Sequence, residues 1–154
     1  MIETLTTTDF PVIWLNDNEL SIGAFRNQDE LTTCTRGVTK PGGFYDHLRL
    51  ISTTEKEFTV TRVNVLGYKK PKSISNIFWR LINADLVIVE LKLKYIGSAK
   101  VEAVKIEMIN MLNKNAERWD SDGNLSKLLQ MIEVAKSTKE LVTIMTKRYY
   151  YELF

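Results

Sequence analysis

Alternation of apolar and polar residues predicts antiparallel β-structure in the first two-thirds of the chain. Residues 11–15 are apolar, residues 16–18 form turns, and residues 19–22 alternate, so we expect a β-hairpin over residues 11–25. A second hairpin is expected from strands over residues 44–51 and 58–66. In its second strand the apolar positions change parity around Arg62, which indicates a β-bulge. The polar stretch over residues 27–43 is expected to be irregular.

A further strand is expected over residues 86–96, because every second residue is apolar. One face would carry Val87, Val89, Leu91, Leu93 and Tyr95. Leu86 and Ile88 occupy the other face, so we expect the first half of this strand to be buried on both sides.

Helical periodicity dominates the rest of the chain. Apolar residues three and four apart predict helices over residues 74–82, 100–119 and 125–136. The last segment is ambiguous, since Ser137 and Glu140 form a capping-box pattern, whereas β-branched residues and the tyrosines at 149–151 favour a strand. We favour a helix that ends in an extended aromatic tail.

These elements predict one α+β domain over residues 1–154. We expect a mainly antiparallel sheet of about five strands, with three or four helices concentrated in the C-terminal half. The expected core comprises Val12, Trp14, Leu20, Ile22, Leu48, Leu50, Val63, Val65, Phe78, Leu81, Val89, Leu91, Val104, Met108, Leu128, Leu129 and Ile132.

The formal charge of +2 conceals an uneven distribution. Residues 1–60 carry a net charge of −4, residues 61–118 carry +6, and residues 119–154 are neutral. Folding either mixes these segments on one surface or separates them into an acidic and a basic face. The near-zero total is therefore compatible with a charged partner.

Three features indicate a cytoplasmic protein. A single cysteine, Cys34, excludes an intramolecular disulfide, which fits a reducing compartment. Glu3 and Asp9 stand where a signal peptide would carry basic residues, so we expect no export signal. No apolar run approaches the roughly 20 residues that a membrane-spanning helix needs.

Catalytic and metal-binding motifs are poorly supported. The lone His47 and the lone Cys34 cannot supply a structural zinc site. A Cys34–His47 nucleophile and base pair is conceivable, but Cys34 lies in a polar stretch without an activating neighbour. Phosphate-binding glycine motifs are also missing. We therefore expect no cofactor and no metal, while an enzyme that uses carboxylates or hydroxyls without a recognisable motif stays open.

Acidic residues in turns and loops suggest a binding function. If they converge on one face, they would attract a basic protein and accelerate its association. We therefore expect a non-enzymatic protein-binding module, for example an immunity-type protein that neutralises a basic toxin such as a nuclease. The candidate residues are Asp17, Glu19, Asp29, Glu30, Asp46, Glu55 and Glu57.

Nucleic-acid binding is the alternative hypothesis. Basic residues beside aromatic ones can hold phosphates while bases stack on the rings. The sequence offers two such groups, Tyr68, Lys69, Lys70 and Lys72 in one and Lys147 and Arg148 before the terminal tyrosines in the other. The isoelectric point of about 8.6 lies below that typical of dedicated nucleic-acid-binding domains.

Overall fold

The computed structural model describes residues 4–69, 85–120 and 123–151. These residues form a curled antiparallel sheet with the helices of the C-terminal half on one side. The strands are β1 (Val12–Asn16), β2 (Ser21–Phe25), β3 (Thr33–Thr35), β4 (Arg49–Ser52), β5 (Lys56–Tyr68) and β6 (Leu86–Ser98). The helices are α1 (Gln28–Thr32), α2 (Val101–Lys114), α3 (Ala116–Trp119), α4 (Leu125–Val134) and α5 (Thr138–Tyr151).

The strands lie in the order β2-β1-β4-β5-β6-β3, and all neighbours are antiparallel. The predicted α+β class, with helices concentrated in the C-terminal half, is confirmed. Both predicted hairpins are present as β1–β2 and β4–β5. The predicted helix over residues 74–82 lies outside the described residues.

β1 lies between two apolar clusters because both of its faces are covered. Ile13 and Leu15 belong to the cluster that includes buried side chains of α2, α4 and α5. Val12 and Trp14 belong to the cluster inside the curl of the sheet, together with Phe58 and Val87 among others. α2 and α5 pack against β2, and α5 also packs against β1 and β4, so the C-terminal helices cover only half of the sheet. The short helix α1 lies beside β3 and β6 and places Leu31 in the cluster inside the curl.

The predicted β-bulge is confirmed. The pairing of β5 with β6 passes from Val60 opposite Leu93 to Arg62 opposite Lys92, so Thr61 is the extra residue. The strand changes parity there and keeps Val60 and Val63 in the cluster inside the curl.

The C-terminal segment is helical, as favoured above, but the predicted extended aromatic tail is wrong, because α5 continues as a helix to Tyr151. The hydrogen bonds at the start of α5 favour the helix. The Ser137 hydroxyl accepts a hydrogen bond of 3.2 Å from the Glu140 amide, and the Glu140 carboxylate accepts one of 2.8 Å from the Lys136 amide. The first bond satisfies an amide of the first helical turn, and the second ties the residue before the cap to that turn.

Several local predictions are wrong. Residues 44–47 form turns, and β4 begins only at Arg49, while the supposedly irregular residues 28–35 form α1 and β3. Leu20 is exposed because it lies in the β1–β2 turn with φ +50°. Leu86 and Ile88 are exposed on the helix-free half of the sheet instead of being buried on both sides.

Candidate protein-binding surface

Three carboxylates converge on the guanidinium of Arg49. Arg49 lies at the start of β4, two residues before Ile51, which belongs to the cluster on the helix side, so alternation directs the Arg49 side chain to that side as well. There its Nη1 is 3.1 Å from Glu57 on β5, its Nε is 3.4 Å from Asp17 in the β1–β2 turn, and its Nη2 contacts Glu107 on α2. We call Asp17, Glu57 and Glu107 the acidic cluster.

The acidic cluster carries more negative charge than Arg49 can neutralise. Burial lowers the pKa of Arg49, but the hydrogen bond to Glu107 and the charges of the three carboxylates outweigh it and raise that pKa. The side chains of Asp17 and Glu107 remain 55% and 41% exposed. The acidic cluster and Arg49 together have a formal charge of 1 − 3 = −2 at neutral pH, and two of the carboxylates face solvent.

Two of the predicted acidic residues, Asp17 and Glu57, thus belong to the acidic cluster. Two others, Asp29 and Glu30, lie on α1. Asp29 forms an ion pair of 2.9 Å with Lys69, and Glu30 pairs with Arg26. These contacts neutralise part of the acidic segment locally.

The remaining predicted acidic residues occupy turns. Asp46 accepts a hydrogen bond of 3.1 Å from the Gly42 amide, and its carbonyl accepts one of 3.4 Å from Asn18, the neighbour of Asp17. Glu19 accepts a hydrogen bond of 3.4 Å from Ser21 in the β1–β2 turn. Glu55 is exposed in the β4–β5 turn. Asp46 is therefore joined to the turn that carries Asp17.

The residues proposed for nucleic-acid binding are largely engaged within the protein. Lys69 pairs with Asp29, and the Tyr68 ring lies 5.2 Å from the guanidinium carbon of Arg36. Arg148 is buried and donates to the Trp119 carbonyl at 3.1 Å, whereas Lys147 is exposed on α5. Lys70 and Lys72 lie outside the described residues.

An aromatic pocket of about 240 Å³ opens beside β1 and β2. The rings of Trp14, Phe44 and Tyr149 form walls at nearly right angles, with Trp14 and Phe44 centroids 4.9 Å apart. Glu19 and Arg118 also line it, so charges of both signs border an apolar interior.

Cys34 lines the same pocket but has the properties of a structural thiol. Burial raises its pKa, and the hydrogen bond with Tyr45 lowers that pKa only in part. The Tyr45 hydroxyl itself donates to the Leu31 carbonyl at 2.6 Å. His47 is 77% exposed, with its Nε2 3.6 Å from Asp46. Because the nucleophile is the thiolate, these surroundings disfavour a Cys34–His47 catalytic pair.

Arg49 and Glu107 are the members of this surface that sequence reasoning missed. Glu107 is one of several charged residues on α2, and no local pattern distinguishes it from Glu102. Its role depends on the packing of α2 beside the start of β4, which the local periodicity does not specify.

No protein-family model, curated protein or solved structure matches this chain. Within residues 4–69, 85–120 and 123–151, no group of three or more His, Cys, Asp or Glu side chains is arranged to hold a metal ion. No helix in those ranges is long and apolar enough to cross a membrane. Function has to be inferred from the surfaces of the molecule itself.

Proposed function

We propose that this protein is a non-enzymatic binding module that docks a basic protein on the acidic cluster. The observation that carries the proposal is the convergence of Asp17, Glu57 and Glu107 on the single guanidinium of Arg49. Arg49 holds the carboxylates in place, and the surplus negative charge faces solvent through Asp17 and Glu107. A fixed surface of one sign accelerates the encounter with a partner of opposite sign.

A neutralising role fits this surface. An inhibitor of a basic toxin, such as a nuclease, needs to bind quickly and to cover a positively charged site. The acidic cluster offers carboxylates that are already positioned, so little side-chain entropy is lost when a lysine or arginine of the partner arrives. We therefore favour an immunity-type role among the possible protein-binding functions.

The test begins with affinity capture from native lysate without nuclease treatment, followed by mass spectrometry. We expect recovery of a protein whose isoelectric point lies above about 9, the range typical of strongly basic domains. If that partner is a nuclease, stoichiometric addition of this protein should inhibit it. Recovery of the protein alone contradicts the proposal, and recovery of nucleic acid without protein favours the nucleic-acid alternative.

Matched variants locate the contact. Asp17→Asn with Glu107→Gln removes the surplus charge but keeps hydrogen-bond acceptors for Arg49. We expect the association rate constant to fall on the order of tenfold at low salt, with a smaller difference at high salt. The control pair, Glu117→Gln with Glu133→Gln, removes two exposed charges elsewhere. An equal loss in the control pair would show that the acidic cluster is not the binding site.

A further inference from the structure

β6 has one edge that is open over most of its length. On one side it pairs with β5 from Val87 to Ser98, but on the other side β3 covers only residues 86–88. Among the described residues, the main chain from 89 to 98 forms backbone hydrogen bonds with no strand other than β5. We call residues 89–94 on this side the β6 edge. Every second residue of such an edge directs its N–H and C=O groups outwards, so it can accept another strand.

An apolar groove of about 450 Å³ runs beside the β6 edge. Leu91 and Leu93 form one wall, and Leu31 of α1 and Leu5 form another. Ile88 and Glu90 also line the groove although their side chains alternate to the opposite face, which places the β6 main chain in its wall. A strand added here would find both backbone partners and an apolar surface for alternate side chains.

The opposite face of the same edge has a net positive charge, because Lys92, Lys94 and Arg62 outnumber the single carboxylate of Glu90, which accepts a hydrogen bond of 3.2 Å from Asn64. Lys92 and Lys94 alternate with Leu91 and Leu93 and are exposed on the half of the sheet that the helices leave open. Arg62 of β5 lies directly opposite Lys92. None of these three cations forms an ion pair with any described residue. Like charges directly opposite each other are unfavourable in a sheet, and an incoming carboxylate would relieve this repulsion.

We propose that the β6 edge binds an extended segment of a partner protein in which apolar and acidic residues alternate. A new strand would lie about 4.8 Å from β6, and its successive side chains would point to opposite faces. One set would enter the groove beside Leu91 and Leu93, and the acidic set would lie beside Lys92 and Lys94. This alternation identifies the chemistry of the partner more narrowly than charge alone.

An acidic segment suits this edge better than a second copy of this chain does. Each copy carries two cations, Lys92 and Lys94, against the one carboxylate of Glu90, so pairing of two β6 edges leaves like charges close together. The inference goes beyond the function proposed above, because it concerns different residues and a partner surface of the opposite charge. It holds or fails independently of the acidic cluster.

The test uses a labelled, capped peptide of about eight residues in which valine and glutamate alternate, a length typical of strands. Fluorescence anisotropy should show saturable binding to the intact protein. NMR should show shifts over residues 89–94 and slower hydrogen exchange at every second amide of this segment, namely those that point away from β5. Three control peptides have lysine in place of glutamate, the same composition in two blocks, or N-methylated alternate residues that cannot donate backbone hydrogen bonds. Each should bind at least about tenfold more weakly, the change expected for roughly 1.4 kcal/mol.

A charge-reversed protein provides the reciprocal measurement. The variant with Lys92→Glu and Lys94→Glu should no longer bind the glutamate peptide and should bind the lysine peptide instead. The control variant with Lys136→Glu and Lys139→Glu reverses two exposed charges on the helical side, and its affinity for both peptides should be unchanged. The proposal is overturned if the peptide fails to bind at millimolar concentration or if the block or N-methylated peptides bind equally well. It is also overturned if the protein dimerises through this edge. The same holds if nucleic acid displaces the peptide and the charge reversal at Lys92 and Lys94 abolishes nucleic-acid binding.

Discussion

Gly23 provides a sharp test of the packing beside the aromatic pocket. It lies on β2 directly opposite Trp14 of β1, and the indole ring covers it. A Cβ at this position would lie 2.6 Å from Cε2 and 2.8 Å from Nε1 of Trp14. Carbon atoms in favourable contact are about 3.5–4.0 Å apart, so Gly23→Ala requires the ring to move by roughly 1 Å.

The indole ring has little room for that movement. Phe44 meets it edge-on at 4.9 Å between ring centroids, and Phe25 and Tyr149 each lie at 6.3 Å. Inserting one methyl group into such packing costs about 1–3 kcal/mol. For a chain of 154 residues, each kcal/mol corresponds to about 2–4 °C, so the melting temperature should fall by roughly 2–12 °C.

Urea denaturation followed by circular dichroism measures this cost, and two further variants identify its cause. Gly67→Ala is the matched control, because a Cβ on that strand glycine meets no atom within 4 Å. It should change the free energy of unfolding by less than about 0.5 kcal/mol. In a Trp14→Phe background, Gly23→Ala should cost at least about 1 kcal/mol less than in the wild type. An unchanged stability of Gly23→Ala, or the same cost in both backgrounds, would refute this account of the packing.

Three other side chains give independent predictions. Asp9 is 1% exposed; burial raises its pKa, but hydrogen bonds from Thr54 and Thr6 outweigh this and lower it below 3.8. Its ionised form therefore stabilises the fold above that pH, and the contribution is lost as the pH falls through the folded-state pKa. Asp9→Asn should cost about 2–3 kcal/mol at neutral pH in urea titrations and show a shallower acid dependence. Arg49→Met should cost about 1–2 kcal/mol in the same assay, because partly buried carboxylates lose their partner. Cys34 should react with maleimide more slowly than free cysteine, and at the free rate in denaturant, because burial raises its pKa.

The long elements of the fold follow from periodicity, whereas α1 and β3 do not. Residues 28–35 are mostly polar and contain no repeated apolar spacing. α1 is held by the Asn27 side chain, which accepts a hydrogen bond of 3.0 Å from the Glu30 amide, and by buried Leu31. β3 exists because its main chain pairs with the first residues of β6. Such an element depends on a partner strand more than 50 residues away, and local patterning cannot reveal it.

Burial along a strand depends on what covers each face as well as on alternation. Val65 and Val89 are opposite each other and equally apolar, yet Val65 is 43% exposed while Val89 is buried. Val12 and Ile13 are buried on opposite faces because the curl of the sheet covers one and the helices cover the other. Alternation assigns residues to the two faces of a strand, but the packing of distant elements decides which positions on a face are buried.

The charge of each candidate site likewise depends on the packing of distant elements as well as on the local sequence. The sequence identifies Asp17 and Glu57 as acidic residues near turns. In the structure both contact Arg49 together with Glu107, although Glu107 comes from the segment that carries a net charge of +6. Elsewhere, Asp29 of the acidic segment neutralises Lys69 of the basic one. Net charge along the chain therefore does not give the charge of a surface.

Two charged surfaces persist after this mixing because of where the local ion pairs form. The acidic cluster retains surplus carboxylates, since one guanidinium serves three of them. Lys92 and Lys94 have no ion-pair partner among the described residues, since alternation along β6 and the bulge at Thr61 place them beside Arg62 on an uncovered face. An acidic partner strand would extend the sheet through backbone hydrogen bonds and would also neutralise Lys92 and Lys94. Removal of either the backbone hydrogen bonds or the acidic side chains should therefore weaken binding of the whole strand.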